Sequence, residues 1–144
     1  MIDLDKGIAE SSSKPEPESI TKSITAMDPL INIYTSGTTG LPKAVIIKHI
    51  RHAFASIAAI YTIDLGAEDR VYVYLPLYHT AGGQLGIAAT MFCGATSVIR
   101  KKFSASNFWK DCVKYDITAT QYIGTLTRFS QFCHRIPYKF HRIL

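Results

Sequence analysis

The chain has 144 residues, one domain's worth of sequence, of which 47% are hydrophobic and 19% charged; that balance excludes a wholly disordered chain and supports a buried core. Its formal charge of +5 is unevenly spread: residues 1–28 carry −3, residues 29–129 carry +5 and residues 130–144 carry +3. Cys93, Cys112 and Cys133 are odd in number and contain no CxxC pair, which argues against a disulfide framework or zinc knuckle and for a reducing compartment, with Cys93 and Cys112 as small core residues.

Residues 1–28 begin without a basic stretch leading into an apolar one, so no secretory signal is visible. Residues 7–28 are rich in Ser, Pro, Glu and Thr and read as a disordered linker. The texture changes at Leu30. Leu30–Tyr34 is a β-branched and aromatic run that predicts a strand, and after a small-residue loop Ala44–Ile47 predicts a second. From His49 to about Leu65, the residues Ile50, Ala53, Phe54, Ile57, Ala58 and Tyr61 recur at helical spacing. They predict a helix that buries this stripe and stops at Gly66. Val71–Leu75 is a third strand ended by Pro76, Gln84–Phe92 an apolar helix, Cys93–Gly94 a turn and Ala95–Ile99 a fourth strand. Ser104 is placed to cap a helix carrying Ala105, Phe108, Trp109, Cys112 and Val113 on one face. Ile117–Ile123 is a fifth strand and Thr125–Phe132 opens a last helix. Strands alternating with helices make this an α/β fold with a mostly parallel sheet. The uncharged stretch between Arg70 and Arg100 is broken by Pro76, His79 and Gly82-Gly83, and Leu85–Ile99 is too short to span a bilayer. It reads as buried strands and a helix instead.

One loop carries the chemistry. Tyr34-Thr35-Ser36-Gly37-Thr38-Thr39-Gly40-Leu41-Pro42-Lys43 gathers hydroxyls, two glycines and a lysine into a single turn. Glycine lets backbone N–H groups converge on an anion, hydroxyls add rotatable donors and Lys43 adds a cation. It is not a Walker A loop, which needs G-x-x-x-x-G-K-[ST] opening a helix; here an apolar strand follows the lysine. By composition alone, a polyphosphate cradle and an ordinary Gly/Thr hairpin turn are both open. His49 and His52 are three apart on a helix without a third ligand, so they read as a solvated pair. Arg100-Lys101-Lys102 reads as a solvated strand end rather than a site for phosphate, coenzyme A or an anionic membrane surface. Tyr72, Tyr74, Phe108 and Trp109 read as core. Interleaved basic and stacking residues are too sparse for a nucleic-acid face, the tail's Phe132, Tyr138 and Phe140 suggesting one only faintly.

The ordered string YTSGTTGLPK resembles the phosphate-binding signature of the AMP-forming acyl-CoA synthetase and ligase superfamily, the adenylate-forming enzymes. Leu75-Pro76-Leu77-Tyr78-His79-Thr80-Ala81-Gly82 is similar to that superfamily's second signature. The run from Val98 through Arg100-Lys101-Lys102-Phe103-Ser104-Ala105-Ser106-Asn107-Phe108-Trp109 to Gln121-Tyr122-Ile123-Gly124 resembles the fatty acid transport protein branch, whose members are very-long-chain acyl-CoA synthetases. The resemblance runs from about Asp28 to Phe129. It implies a fragment of the large N-terminal domain of an adenylate-forming enzyme: residues 1–28 a linker, 29–129 a partial AMP-binding domain and 130–144 an unrelated basic tail.

The reaction it implies has two halves. A fatty acid carboxylate attacks the α-phosphate of ATP to give acyl-adenylate and pyrophosphate, and coenzyme A thiol then displaces AMP. Thr35, Ser36, Gly37, Thr38, Thr39, Gly40 and Lys43 would hold the β- and γ-phosphates. His79 would sit where the carboxylate meets the nucleotide and donate a hydrogen bond to the developing charge; a buried structural histidine is the alternative. The co-substrates implied are ATP, with Mg2+ by family, long-chain fatty acid and coenzyme A, with no nucleic-acid partner. Location is expected to be intracellular, on endoplasmic reticulum, plasma membrane or peroxisome, with membrane association in the full-length protein and no transmembrane segment here.

The family's adenine-binding motif, magnesium-handling acidic residue, ribose-binding aspartate, hinge and C-terminal lysine domain have no counterpart in these 144 residues. Thr125 stands where the branch has glutamate. The expectation is therefore a piece of a larger ligase, inactive alone, or else a catalytically dead product that binds ATP or lipid.

Overall fold

The computed structural model of the chain describes residues 4–35, 41–121 and 142–143. Two short helices come first, α1 (Leu4–Glu10) and α2 (Glu18–Thr21), and the side chains described in both are exposed. The turn that follows has a structural job. Thr25 donates from its N–H and its hydroxyl to the Asp28 carboxylate, at 2.6 and 3.0 Å. These bonds, the backbone one foremost, hold the Asp28 carboxyl below its ordinary value. The same turn presents the carbonyls of Asp28 and Ala26 to the N–H groups of His49 and Ile50. The next helix, α3 (His49–Ile63), thus has its first orphan donors satisfied by backbone rather than by a capping side chain.

Strands β1 (Pro29–Thr35) and β2 (Lys43–Lys48) pair antiparallel as a separate two-stranded hairpin. The main sheet is parallel, in the order β4–β3–β5–β6, from β3 (Arg70–Val73), β4 (Thr96–Ile99), β5 (Ala119–Thr120) and β6 (Arg142–Ile143). Its central strand β3 is buried on both faces, and the two-residue alternation of a strand divides its side chains between two cores. Val71 and Val73 pack with Ala59, Leu65, Ala89 and Ala119 on one side. Tyr72 and Tyr74 pack with Cys112 and Ile117 on the other, supported by Phe103, Phe108 and Trp109. The Tyr74 and Phe108 rings meet edge to face at 5.5 Å, a geometry aromatic quadrupoles favour. The aromatic core read from the sequence is present.

Helix α5 (Ala105–Lys114) covers the tyrosine side. Ser104 is its N-cap residue, but its hydroxyl makes no capping bond and lies 3.3 Å from the Ser106 hydroxyl instead. The Ser104 carbonyl does accept from Asn107 and Phe108 N–H groups. Of the triplet at the end of β4, Arg100 pairs with Asp111 on α5, whereas Lys101 and Lys102 are exposed.

Three expectations need correction. The apolar stripe of α3 is not its buried face: Phe54 is 73% exposed and Tyr61 83%, and Ile50 and Ile57 are exposed as well. The buried face carries Ser56 and Ala59, flanked by half-buried His52, Ile60 and Ile63. These residues also recur at helical spacing, and their small size lets α3 lie close to the segment carrying Gln84, whose carbonyl accepts from Ser56 Oγ at 3.3 Å. The helix ends at Asp64, in the left-handed region with φ 52°, not at Gly66. And the apolar helix is two windings in series, a π-helix (Thr80–Ala88) running into α4 (Ala89–Cys93), which Gly94 stops at φ 76°.

Cys112 is fully buried and Cys93 half-buried. Burial, reinforced by the Asp111 charge, pushes the Cys112 thiol up to about 12. Among the described residues no helix is long and apolar enough to cross a membrane. The expected helix at Thr125–Phe132 and the end of the expected fifth strand, beyond Gln121, lie outside the described residues.

Candidate functional site

The chain enters β3, leaves it at Val73, and visits β4 on one side before returning to β5 on the other. In open α/β sheets the crevice beyond the carboxyl end of a strand at such a reversal is where ligands bind. The segment lying there is Leu75-Pro76-Leu77-Tyr78-His79. Pro76 stops the strand, since it has no N–H to give the ladder, and the His79 N–H closes the turn on the Pro76 carbonyl at 3.1 Å.

From this turn the π-helix starts at once. Gly82 and Gly83 let it fold back over the turn. A Cβ on Gly82 would meet the Leu75 and Pro76 carbonyls, and one on Gly83 the Leu77 carbonyl. The wider π winding, an uncommon form that recurs at functional sites, begins with His79 as its N-cap residue. His79 Nδ1 accepts from the Ala81 N–H at 3.2 Å. With Nδ1 engaged as an acceptor, the neutral ring carries its proton on Nε2, leaving a single N–H donor to offer a ligand. The side chain is exposed, not the buried structural histidine that was the alternative reading.

Gln121 steadies the start of the π-helix. It is buried at the end of β5, its Nε2 donates to the Ala81 carbonyl, and its own carbonyl accepts from the Tyr74 hydroxyl at 2.6 Å. Burial drives the Tyr74 phenol up to about 12, keeping it a proton donor there. Strand ends β3 and β5 are so tied to the residue whose N–H orients His79.

The hairpin supplies the opposite wall. Tyr34 pairs with Ala44 and Thr35 with Lys43, so the loop from 36 to 42 joins two antiparallel strands. Thr35 Oγ1 donates to the Lys43 carbonyl at 3.3 Å. Ser36, Gly37, Thr38, Thr39 and Gly40 lie outside the described residues. Ile31, Ile33 and Thr35 share one face of β1 by the period of a strand. Ile31 and Ile33 line a pocket of about 100 Å3 together with Leu77, Tyr78, His79 and Thr80. Gly83 and Gln84 form part of its wall, and so does His52 from α3. The pocket therefore joins the strand that enters the glycine-rich loop to the turn that bears His79.

His52 is the residue that sequence reasoning misplaced. Read as half of a solvated pair, it is half-buried, and its Nδ1 is buried without a hydrogen-bond partner. Spacing could not reveal this, because it depends on which face of α3 turns inward. Gln121 had a signal, its place before Tyr122-Ile123-Gly124, but no assigned role. Among the described residues no group of three or more His, Cys, Asp and Glu side chains is arranged to hold a metal ion.

A family model described as AMP-binding enzyme matches residues 2–133. The chain belongs to this family. Among relatives it is 47% identical over 126 residues to long-chain fatty acid transport protein 1 of Bos taurus, covering 88% of this chain and 19% of that protein. It is 43% identical over 129 residues to long-chain fatty acid transport protein 6 of Homo sapiens, covering 90% and 21%. The chain thus spans about a fifth of the length of these relatives. Among solved structures, an AMP complex of the O-succinylbenzoate coenzyme A synthetase of Bacillus subtilis superposes with a TM-score of 0.77 at 26% identity, over 94% of this chain and 34% of that one. The fold is that of the N-terminal domain of adenylate-forming enzymes.

Proposed function

We propose that this chain is the phosphate-loop portion of a long-chain or very-long-chain fatty acid–CoA ligase. The observation that carries the reading is the pocket beyond β3, where the face of β1 leading into the Thr35–Lys43 loop meets His79. Identity to long-chain fatty acid transport proteins supports the acid class. In this reading Thr35, Ser36, Gly37, Thr38, Thr39, Gly40 and Lys43 grip the β- and γ-phosphates of ATP. Held there, the nucleotide has its α-phosphate toward the pocket, and the acid enters along Ile31, Ile33 and Leu77 with its carboxylate first. His79 donates through Nε2–H to the oxygens on which charge builds as the carboxylate attacks. The glycine-fitted π-helix and Gln121 keep that donor in place, so little reorganisation is needed at the moment of reaction.

The second half-reaction, thiolysis by coenzyme A, draws on parts of the ligase with no counterpart in these residues, so the chain alone forms no acyl-CoA. Purified chain given ATP, palmitate and coenzyme A should yield no thioester above a Lys43→Ala control; thioester above that control would defeat the claim. Titration calorimetry with ATP should show saturable binding, weakened about tenfold by Lys43→Ala, the worth of one charge-assisted hydrogen bond. An ATP affinity untouched by that substitution would remove Lys43 from the phosphate site.

A further inference from the structure

Tyr74, one residue past β3, belongs to the aromatic core under α5, its ring against those of Phe103 and Phe108. Gln121, one residue past β5, sends its side chain to the opposite face of the sheet. There its Nε2 donates to the Ala81 carbonyl. Gly86 makes room for that amide, since a Cβ on Gly86 would lie 3.3 Å from Gln121 Nε2 and 3.0 Å from a Val73 methyl. The two residues meet through the backbone, where the Tyr74 hydroxyl donates to the Gln121 main-chain carbonyl at 2.6 Å. A hydrogen-bonded path therefore crosses the sheet. It runs from the Tyr74 phenol to the Gln121 backbone, along the Gln121 side chain to Ala81, and from the Ala81 N–H to His79 Nδ1. Thr120 Oγ1 is the other donor near the Gln121 carbonyl, at 3.4 Å, but it lies as close to the Tyr72 carbonyl, at 3.3 Å, with one proton for the two. Tyr74 and Gln121 are both buried, which keeps water from standing in for either partner. An N–H aimed at Nδ1 excludes the ring proton from that nitrogen, so whatever holds Ala81 sets how firmly the tautomer is fixed.

We infer that Tyr74 is a remote positioning residue for His79, holding the ring, through Gln121 and Ala81, in the tautomer whose proton sits on Nε2. The inference rests on the fatty-acid reading above, in which that N–H meets the reacting oxygens. It adds a residue from the core on the other face of the sheet, outside both sequence signatures. A donor already in its reactive tautomer needs no proton shift before it can act, so the path serves preorganisation.

The test compares the ring 15N resonances of His79 in the full 144-residue chain at about pH 8.5, where an ordinary imidazole is neutral. A His79→Gln chain identifies its signals, and the nitrogen resonances distinguish a protonated ring nitrogen from a bare one. Gln121→Met, which keeps the volume and removes the donor, should raise the minor Nδ1–H form about fivefold, the equilibrium worth of one neutral hydrogen bond. Tyr74→Phe should raise it about twofold, since the path loses its anchor but keeps its last bond. Tyr72→Phe removes a phenol from the same aromatic core, one bonded to Asp111 and not to Gln121, and should leave the tautomers as they are. Tautomers unchanged in Tyr74→Phe overturn the inference. An equal change in Tyr72→Phe also overturns it, because general loosening of the core is then the cause. A response to Tyr74→Phe with none to Gln121→Met overturns it as well, because the path does not then run through Gln121. Decanoate added to the parent chain tests the fatty-acid reading separately: His79 resonances that ignore it defeat that reading, whichever way the tautomer comparison falls. If Gln121→Met does not fold, the two tyrosine variants alone decide.

Discussion

The Tyr72 phenol donates a 2.6 Å hydrogen bond to the Asp111 carboxylate, tying the central strand of the sheet to α5. Asp111 also holds Arg100 in an ion pair, so one half-buried carboxylate binds the end of β4, the middle of β3 and the covering helix. Burial, then the bond to Asp111, pushes the Tyr72 phenol well above its ordinary range. Tyr72 therefore stays protonated and remains the donor. Tyr72→Phe removes one neutral donor and should cost about 1 kcal/mol, whereas Asp111→Ala leaves the buried Tyr72 hydroxyl without its acceptor and frees Arg100 from the corner, and should cost more than Tyr72→Phe. Urea denaturation midpoints check both. Equal costs for the two variants would mean that the carboxylate does not organise the corner.

Alkaline pH should destabilise the fold through the same core. Cys112 and Tyr74 are pushed up to about 12, and Tyr72 is raised further, all first by burial. The unfolded chain releases these protons from about pH 9 for the thiol and 10 for the phenols, while the folded chain retains them. Stability is therefore full below pH 9 and falls as pH rises toward 12. Cys112→Ala should flatten the loss between pH 9 and 10, measured as melting temperature against pH. An unchanged slope in that window would assign the loss elsewhere.

Gly83→Ala tests the close passage of the π-helix over the His79 turn. The new methyl would run into the Leu77 carbonyl, a backbone atom with little room to give. The expected cost is about 1–3 kcal/mol, with the His79 ring resonances displaced. Gly7→Ala, with open space around it, is the control and should change neither. A Gly83→Ala variant as stable as the parent, with unmoved histidine signals, would show that the passage is looser than described.

The two faces of α3 make opposite predictions. Phe54→Ser and Tyr61→Ser lie on the exposed stripe and should shift stability by no more than about 0.5 kcal/mol. Ala59→Leu lies on the buried face and should cost about 1–3 kcal/mol through overpacking against Val71 and Val73. Chemical denaturation separates the outcomes; the reverse ranking would restore the apolar stripe as the core face.

Sequence alone was enough for the strands, their alternation with helices and the family, because these rest on local chemistry. Val71 to Tyr74 can only be a buried strand by its branched and aromatic run, and Pro76 ends it without reference to the rest of the chain. The glycine-rich loop between two β-branched runs likewise specifies a hairpin. Helix α3 shows where local chemistry stops. It carries two sets of residues at helical spacing, and periodicity favours the larger side chains of Ile50, Phe54, Ile57 and Tyr61. Which set turns inward depends on the partner surface, and the π-helix over β3 accepts the small face of Ser56 and Ala59. That choice alone moves His52 from solvent to the pocket and leaves its Nδ1 without a partner. So the sequence by itself determined that the chain carries a glycine- and hydroxyl-rich hairpin loop and a histidine turn. The tertiary structure decided that the strand leading into that loop and the histidine turn share a pocket, and that a second imidazole stands in its wall, because contacts between distant segments select a helix face that spacing leaves open.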